Sequence, residues 1–368
     1  MIGEHSPAGA ATAAVWHGPD DGFRLTPLPL PSLAPGEVLV ETGIATLCGS
    51  DLHTVAGDRD TPLPTILGHE MVGTVVAVNG TPRTTTGATV EPGMRVTWSI
   101  GASCGRCRRC RRGLPQKCTA LRKYGHAALD DGWQLSGGLA SHCHLLAGTG
   151  IVEIPPELPD QVAAPANCAT ATIVHAVRAA APRPEDVVVV QGCGMLGLTA
   201  IAYLRGLGVA TVVASDPDPE RLHLARRCGA TADVSPVDLA EAVRARSDGE
   251  GADVVLDVSG SSTAVQHALD EVLAIGGRLV LVGSVFPAPP LRVDPEQVVR
   301  RLATIRGVHN YVPDDLTAAV RFLAASADHE VLASFVPVTY PLDRLEDAIA
   351  QATTRRPPRV GIDPHPVS

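Results

Sequence analysis

The spacing of apolar positions changes character near residue 187 of this chain. Between about Thr12 and Ile154 they fall in short, β-branched runs, such as 38–40 and 72–78, broken by Gly and Pro. Such runs predict the strands of an antiparallel, barrel-like domain with few helices. From Val187 onward, apolar runs at 187–190, 211–215, 254–258 and 279–282 alternate with amphipathic stretches such as 222–228 and 264–274. That alternation predicts a parallel sheet with right-handed helical crossovers. A last helix of this second domain is expected at 321–325, after which 331–340 reads as β and is expected to return to the first domain. No repeat of fixed period is visible.

Composition narrows this picture. A length of 368 residues suits two domains, each able to bury its own core. Hydrophobic residues at 45% and charged residues at 19% describe a folded chain rather than a disordered one. Aromatics supply only 3%, so the cores must be built from Val, Leu, Ile and Ala. The formal net charge of -9 argues against general nucleic-acid binding. The uncharged run 187–204 has the length of a membrane span, but Gln191 and the glycines inside it favour a strand, turn and helix. No membrane or nucleic-acid partner is therefore expected. Residues 1–14 are small and weakly patterned, without a basic leader and apolar stretch, which predicts a frayed terminus and a cytoplasmic location.

Gly192-Cys193-Gly194-Met195-Leu196-Gly197 matches G-x-G-x-x-G, directly after one predicted strand and at the start of an apolar helix. Only glycine lets the backbone turn so tightly and approach a pyrophosphate resting on a helix N-terminus. Asp216 ends the next strand, 19 residues after Gly197. A carboxylate there can accept hydrogen bonds from both adenosine ribose hydroxyls and repels a 2′-phosphate, which favours NAD over NADP. The plainer alternative makes Asp216 the N-cap of a helix starting near Pro219.

Nine cysteines are present, and Cys104-x-x-Cys107-x-x-Cys110-x7-Cys118 gathers four of them. Four thiolates at that spacing suit a closed tetrahedral zinc site better than an iron–sulfur cluster. Arg106, Arg108, Arg109, Arg111, Arg112 and Lys117 crowd the same lobe and read as solvated charges offsetting a doubly negative Zn(Cys)4 centre. Two further segments, Cys48-Gly49-Ser50-Asp51-Leu52-His53 and Gly68-His69-Glu70, offer one thiolate and one imidazole. With a second thiolate from elsewhere they would leave a zinc one open position, where an alcohol can bind.

On these residues the chain resembles a zinc-containing medium-chain alcohol dehydrogenase over nearly its whole length. The resemblance implies an α/β protein: a GroES-like β-barrel catalytic domain over 1–165 with the structural zinc lobe at 104–118. A Rossmann domain with a doubly wound parallel sheet follows over 166–325, and 326–368 returns to the catalytic domain. It implies two zinc ions per chain, one on Cys104, Cys107, Cys110 and Cys118, the other on Cys48, His69 and Cys168, with Glu157 as a carboxylate alternative to Cys168. Glu70 would lie beside the catalytic zinc as an adjustable carboxylate, and Asp51 would orient a ligand. Arg359 lies where many relatives contact a cofactor phosphate. Cys143, Cys193 and Cys228 have no family role and are expected in the core.

The implied reaction moves a hydride between a small-molecule alcohol and NAD(H), zinc acting as Lewis acid. The proton would leave from Ser50 through a ribose hydroxyl towards His53, an imidazole's ordinary pKa of about 6.5 suiting a shuttle. A homodimer or homotetramer is implied as well. Rival readings on the same fold are a zinc-free quinone or enoyl reductase and a non-catalytic nucleotide sensor. Finally, Leu121-Arg122-Lys123-Tyr124-Gly125-His126, with 137–143 and 148–152, resembles a bacterial subgroup linked with phosphonate metabolism. Arg122, Lys123 and His126 would then meet a charged substrate. As ordinary surface cations they would leave a neutral secondary alcohol or polyol.

Overall fold

The computed structural model describes residues 9–130 and 132–365. It separates into two units: one runs to Cys168 and resumes at Val312, and the other is Ala169–Tyr311.

In the first unit the long strands Val38–Leu47 and Glu70–Val78 form an antiparallel ladder with Thr46 opposite Glu70. This register sets Cys48, just past one strand, and His69, just before the other, at the same end of the ladder. The strand Val360–Asp363 pairs antiparallel with the same end, Val360 opposite Leu47, and so delivers Arg359 beside Cys48. Arg95–Trp98, Ile151–Glu153, Thr339–Pro341 and His142–Leu145 complete this sheet. A smaller sheet holds Phe23–Pro29, Ala10–Trp16 and Thr65–Ile66. Fully buried Trp98, Trp133 and Tyr124 join Leu39, Leu135 and Leu145 in the core, so three of the few aromatics are spent here.

The second unit is one parallel sheet in the order Ala232–Val234, Thr211–Ser215, Val187–Gln191, Ala252–Asp257, Leu273–Leu281, Thr304–Gly307. Chain order reverses between the strands Val187–Gln191 and Ala252–Asp257, and ligands of open α/β sheets bind at the carboxyl ends of such a switch point. Alternate faces of the central strands are apolar, because helices cover both sides.

Several expectations need correction. The helix expected at 264–274 stops early: Ser262–His267 is helical, Ala268–Val272 is a wider turn, and Leu273 already begins a strand. The helix containing 321–325 is longer, Pro313–Ala325, and clusters by contact with the first unit. The segment 331–340 holds a short helix, His329–Ala333, before the strand Thr339–Pro341. Of the terminus expected to fray, residues 1–8 lie outside the described residues, whereas 10–14 belong to the paired strand Ala10–Trp16. The run 187–204 is a strand, turn and helix as expected, and no helix among the described residues is long and apolar enough to cross a membrane.

Candidate metal centre and cofactor site

Cys48, His69 and Cys168 come from three distant segments, yet one ligand atom from each lies within 4.8 Å of the others. Asp51 holds two of these segments together. Its Oδ2 accepts the Cys48 backbone N–H at 2.9 Å, closing the first turn of the helix Gly49–Val55, and its Oδ1 accepts the Gly68 N–H at 3.3 Å. The same Oδ1 lies 3.4 Å from His69 Nδ1, within ion-pair range but off the hydrogen-bond direction. Nε2, 3.4 Å from Ser50 Oγ, is thereby left as the donor that can face a metal. Asn167 fixes the third segment by donating to the Trp98 carbonyl at 3.0 Å and accepting the Met71 N–H at 3.3 Å.

The electrostatics suit a cation. Sharing a proton with Cys168 holds the Cys48 thiol well below its ordinary pKa, with help from Arg359 and His69 against the cost of burial. Burial opposes charge on His69, but Asp51 and Cys48 outweigh it and lift the imidazole to about 10. Such a cluster, two thiols and an imidazole short of one positive centre, fits zinc with an open position. Glu157 is exposed and outside the cluster.

Glu70 is fully buried and stands behind the cluster. Its Oε2 accepts from Thr46 Oγ1 at 2.6 Å, and Arg359 grips both oxygens, Nη2 to Oε1 at 2.6 Å and Nε to Oε2 at 2.5 Å. Arg359 Nη2 also reaches Cys48 Sγ at 3.5 Å. The guanidinium of Arg359, the residue expected at a cofactor phosphate, is buried against Glu70, which gives each buried charge its partner.

The second cysteine group is local. Cys104, Cys107, Cys110 and Cys118 also place their sulfurs within 4.8 Å of one another. Backbone N–H groups of Cys104 and Ala120 point at Cys118 Sγ at 3.3 and 3.4 Å, and the Cys110 N–H points at Cys107 Sγ at 3.5 Å. Backbone donors of Cys110 and Thr119 draw the Cys107 thiol down to about 5. Preformed N–H···S contacts around four sulfurs fit a closed zinc site.

In the second unit Gly192 has φ 93° and a Cβ there would sit 2.8 Å from Ser259 Cα, while a Cβ on Gly197 would strike the Gly192 carbonyl. Gly194 faces open space and caps the helix Met195–Gly206 without a side-chain partner. The first bond into that helix is from Leu198 N–H to Gly194 O, so the amides of Met195, Leu196 and Gly197 carry the free positive end of the helix. A cavity of about 770 Å³ lies against Gly192, Gly194 and Asp216. Asp216 accepts the Cys193 N–H at 2.7 Å and the Asp218 N–H at 2.9 Å, with lone pairs remaining for a ligand. The N-cap of the following helix is Asp218, not Asp216.

Two domain families match this chain: the alcohol dehydrogenase GroES-like domain over residues 34–156 and the zinc-binding dehydrogenase domain over 196–325. An L-threonine 3-dehydrogenase of Caldanaerobacter subterraneus subsp. tengcongensis is 30% identical over 344 residues, 91% of this chain and 93% of the relative. The chain belongs to the zinc-dependent medium-chain alcohol dehydrogenase family. An erythritol/L-threitol dehydrogenase of Mycolicibacterium smegmatis is 33% identical over 279 residues, 72% of this chain and 74% of the relative. Among solved structures, an alcohol dehydrogenase of Thermotoga maritima superposes with a TM-score of 0.90 at 28% identity, covering 96% of this chain and 99% of that one.

Within this dehydrogenase the residues expected to meet a charged substrate divide. Arg122 is spent elsewhere: it donates to Asp130 at 2.9 Å and lies 5.0 Å over the Trp133 ring. His126 stacks on His69, ring centroids 4.8 Å apart. His53 is half-exposed and 3.1 Å from Asp58. Cys143, Cys193 and Cys228 are buried. Thr46 and Asn167, which hold Glu70 and the Cys168 segment, carry no motif of their own in the sequence.

Proposed function

We propose that this dehydrogenase oxidises a small alcohol to its carbonyl, or runs the reverse, with NAD as partner and two zinc ions per chain. Cys48, His69 and Cys168 would hold the catalytic ion, and Cys104, Cys107, Cys110 and Cys118 the structural one. The convergence of Cys48, His69 and Cys168 within 4.8 Å carries the reading. The zinc-free reductases have no use for such a cluster. Zinc held there would supply a Lewis acid for the alcohol oxygen, and bound NAD+ a hydride acceptor, so that oxidation of the alcohol releases one proton. Ser50, 3.4 Å from His69 Nε2, is placed to take that proton at Oγ. His53, near the surface beside Asp58, is the group that would pass it to solvent. Asp216 favours NAD over NADP because a 2′-phosphate would meet its buried carboxylate.

A homodimer or homotetramer belongs to the same reading. Its support is the edge strand Thr304–Gly307, which is exposed throughout and neighbours exposed Val299 and Leu302. An open edge of this kind invites pairing with another strand. A reducing, cytoplasmic setting would keep the six ligand thiols unoxidised. The test is NAD+ and NADP+ reduction with a panel of alcohols, alongside metal analysis. Turnover with NAD+ that disappears on chelation supports the proposal, and turnover indifferent to chelation refutes it.

A further inference from the structure

A metal-binding imidazole ordinarily has its ring fixed by a hydrogen bond from its second nitrogen to a carboxylate, a carbonyl or water. At His69 that device is incomplete. Asp51 Oδ1 lies 3.4 Å from His69 Nδ1, yet this buried nitrogen makes no hydrogen bond among the described residues. On the other side of the ring Ser50 Oγ stands 3.4 Å from Nε2, the atom left to face a metal. Contacts of that length hold the tilt of the ring only weakly.

A second ring lies against it. The His126 imidazole has its centroid 4.8 Å from that of His69, with 35° between the planes, a separation typical of stacked aromatic pairs. The backbone that carries His126 is itself fixed by close approaches. Gly125, at φ 70°, passes so near the Gly68–His69 peptide that a Cβ would lie 2.5 Å from the Gly68 carbonyl oxygen and 3.1 Å from His69 Cβ. Only glycine permits that crossing. The Gly125 N–H donates to the Ser136 carbonyl at 2.8 Å, and the Gly138 N–H donates to the Gly68 carbonyl at 2.8 Å, which ties both sides of the crossing to one loop. Tyr124, the preceding residue, is fully buried, its hydroxyl 2.6 Å from Thr149 Oγ1 and accepting the Leu146 N–H at 3.0 Å. His126 therefore has little room to leave the stack. Its Nδ1 is buried, and among the described residues its side chain has no hydrogen-bond or ion-pair partner. The ring face is the part of this side chain that is put to use.

We propose that His126 is a positioning residue: stacked on His69, it holds the plane of that ring so that Nε2 meets the catalytic zinc along its lone pair. The inference rests on the zinc-dependent reading above and deepens it. A metal draws electron density from the imidazole it binds, so the electron-rich face of a second ring is attracted to it more strongly. The stack thus does for His69 what the missing Nδ1 hydrogen bond would do elsewhere.

The test uses the full-length protein and three substitutions of one side chain. His126→Phe keeps a ring, His126→Leu fills the space without one, and His126→Ala empties it. Zinc affinity of the catalytic site is read by competition with a chelator, Cys48→Ser marking the release that belongs to the four-cysteine lobe. His126→Leu and His126→Ala should each bind the catalytic zinc about ten-fold more weakly, the size expected for losing an aromatic pair or a group that orients a ligand. His126→Phe should stay within about two-fold of wild type, because the pair is kept. The second readout is the visible spectrum of protein carrying cobalt(II) in place of zinc, after subtraction of the Cys48→Ser spectrum. Those bands report ligand geometry, so they should shift in His126→Leu and return in His126→Phe, whereas a residue that only fills space would leave them alone. Should His126→Ala fail to fold, the Leu and Phe variants carry the comparison. Unchanged affinity and unchanged cobalt bands in His126→Leu overturn the inference while the zinc site stands. Equal losses in His126→Phe and His126→Leu overturn it too, by assigning the role to an imidazole nitrogen rather than to the ring. Wild-type protein that binds no metal at Cys48, His69 and Cys168 overturns both this inference and the zinc-dependent reading.

Discussion

The two cysteine clusters are assembled by opposite constructions. Cys104, Cys107, Cys110 and Cys118 lie within fifteen residues, mostly half-exposed, and are held by their own loop's N–H···S contacts. Cys48, His69 and Cys168 are separated by up to 120 residues and meet because the ladder between Val38–Leu47 and Glu70–Val78 is in register and Asn167 ties the Cys168 segment to it. Around them Asp51, Glu70, Arg359, Thr46 and Asn167 form a buried polar network. A metal can organise the first cluster by itself, whereas the fold must organise the second before a metal arrives. Loss of metal should therefore cost stability at one site and activity at the other.

The largest expected effect is on turnover. Cys48→Ser should lower kcat by about a thousand-fold or more, since the metal's role accounts for several kcal/mol of barrier lowering. Its melting temperature should stay close to wild type, because the network around Asp51 remains. A fall in melting temperature as large as that of a lobe mutant would erase the distinction drawn here.

Next in size is the lobe. Cys110→Ser removes one of four ligands from a site whose binding is coupled to local folding, so melting temperature should fall by about 10 °C or more. Thermal melts with and without chelator should show wild type falling towards the mutant.

The pair behind the catalytic cluster should give an intermediate effect. Arg359→Ala leaves the Glu70 carboxylate buried and unpaired, at a cost of about 3–5 kcal/mol read by denaturant unfolding. Glu70→Gln, which keeps the shape and a hydrogen bond to Thr46, should cost less. Similar losses for both would remove charge pairing as the reason for their contact.

The smallest effect is a pH dependence confined to metal-free protein. There Asp51 and Cys48 raise the His69 imidazole to about 10, above the ordinary value of about 6.5. A group raised on folding adds stability that is fully present below its unfolded pKa and is lost as pH rises through its folded one. The melting temperature of chelated protein should thus decline between about pH 6.5 and 10 more steeply than that of zinc-loaded protein, where His69 must stay neutral. Parallel pH profiles for the two forms would contradict it.

The same contrast explains what could be read from the chain. The lobe and the Gly192–Gly197 turn were legible because their ligands or glycines are neighbours in sequence. Of the other cluster, Cys48 and His69 were offered by their own segments, whereas Cys168 was named only through the family resemblance. The pairing of Arg359 with Glu70 was not legible because it is set by the register of Val360 with Leu47, far away in sequence. That the helix Pro313–Ala325 clusters with the first unit was not legible, because an amphipathic period shows that a face is buried, not which core receives it. The over-long helix at 264–274 failed for a related reason: short apolar runs such as Val272–Leu273–Ala274 suit a strand as well as a helix.

The central claim is that one chain holds two zinc ions for separable purposes, and elemental analysis of carefully purified protein tests it most directly. Wild type should contain two zinc ions per chain, Cys48→Ser one with the native melting temperature and no turnover, and Cys110→Ser one with reduced stability. Active wild-type protein holding one zinc or fewer would contradict the account.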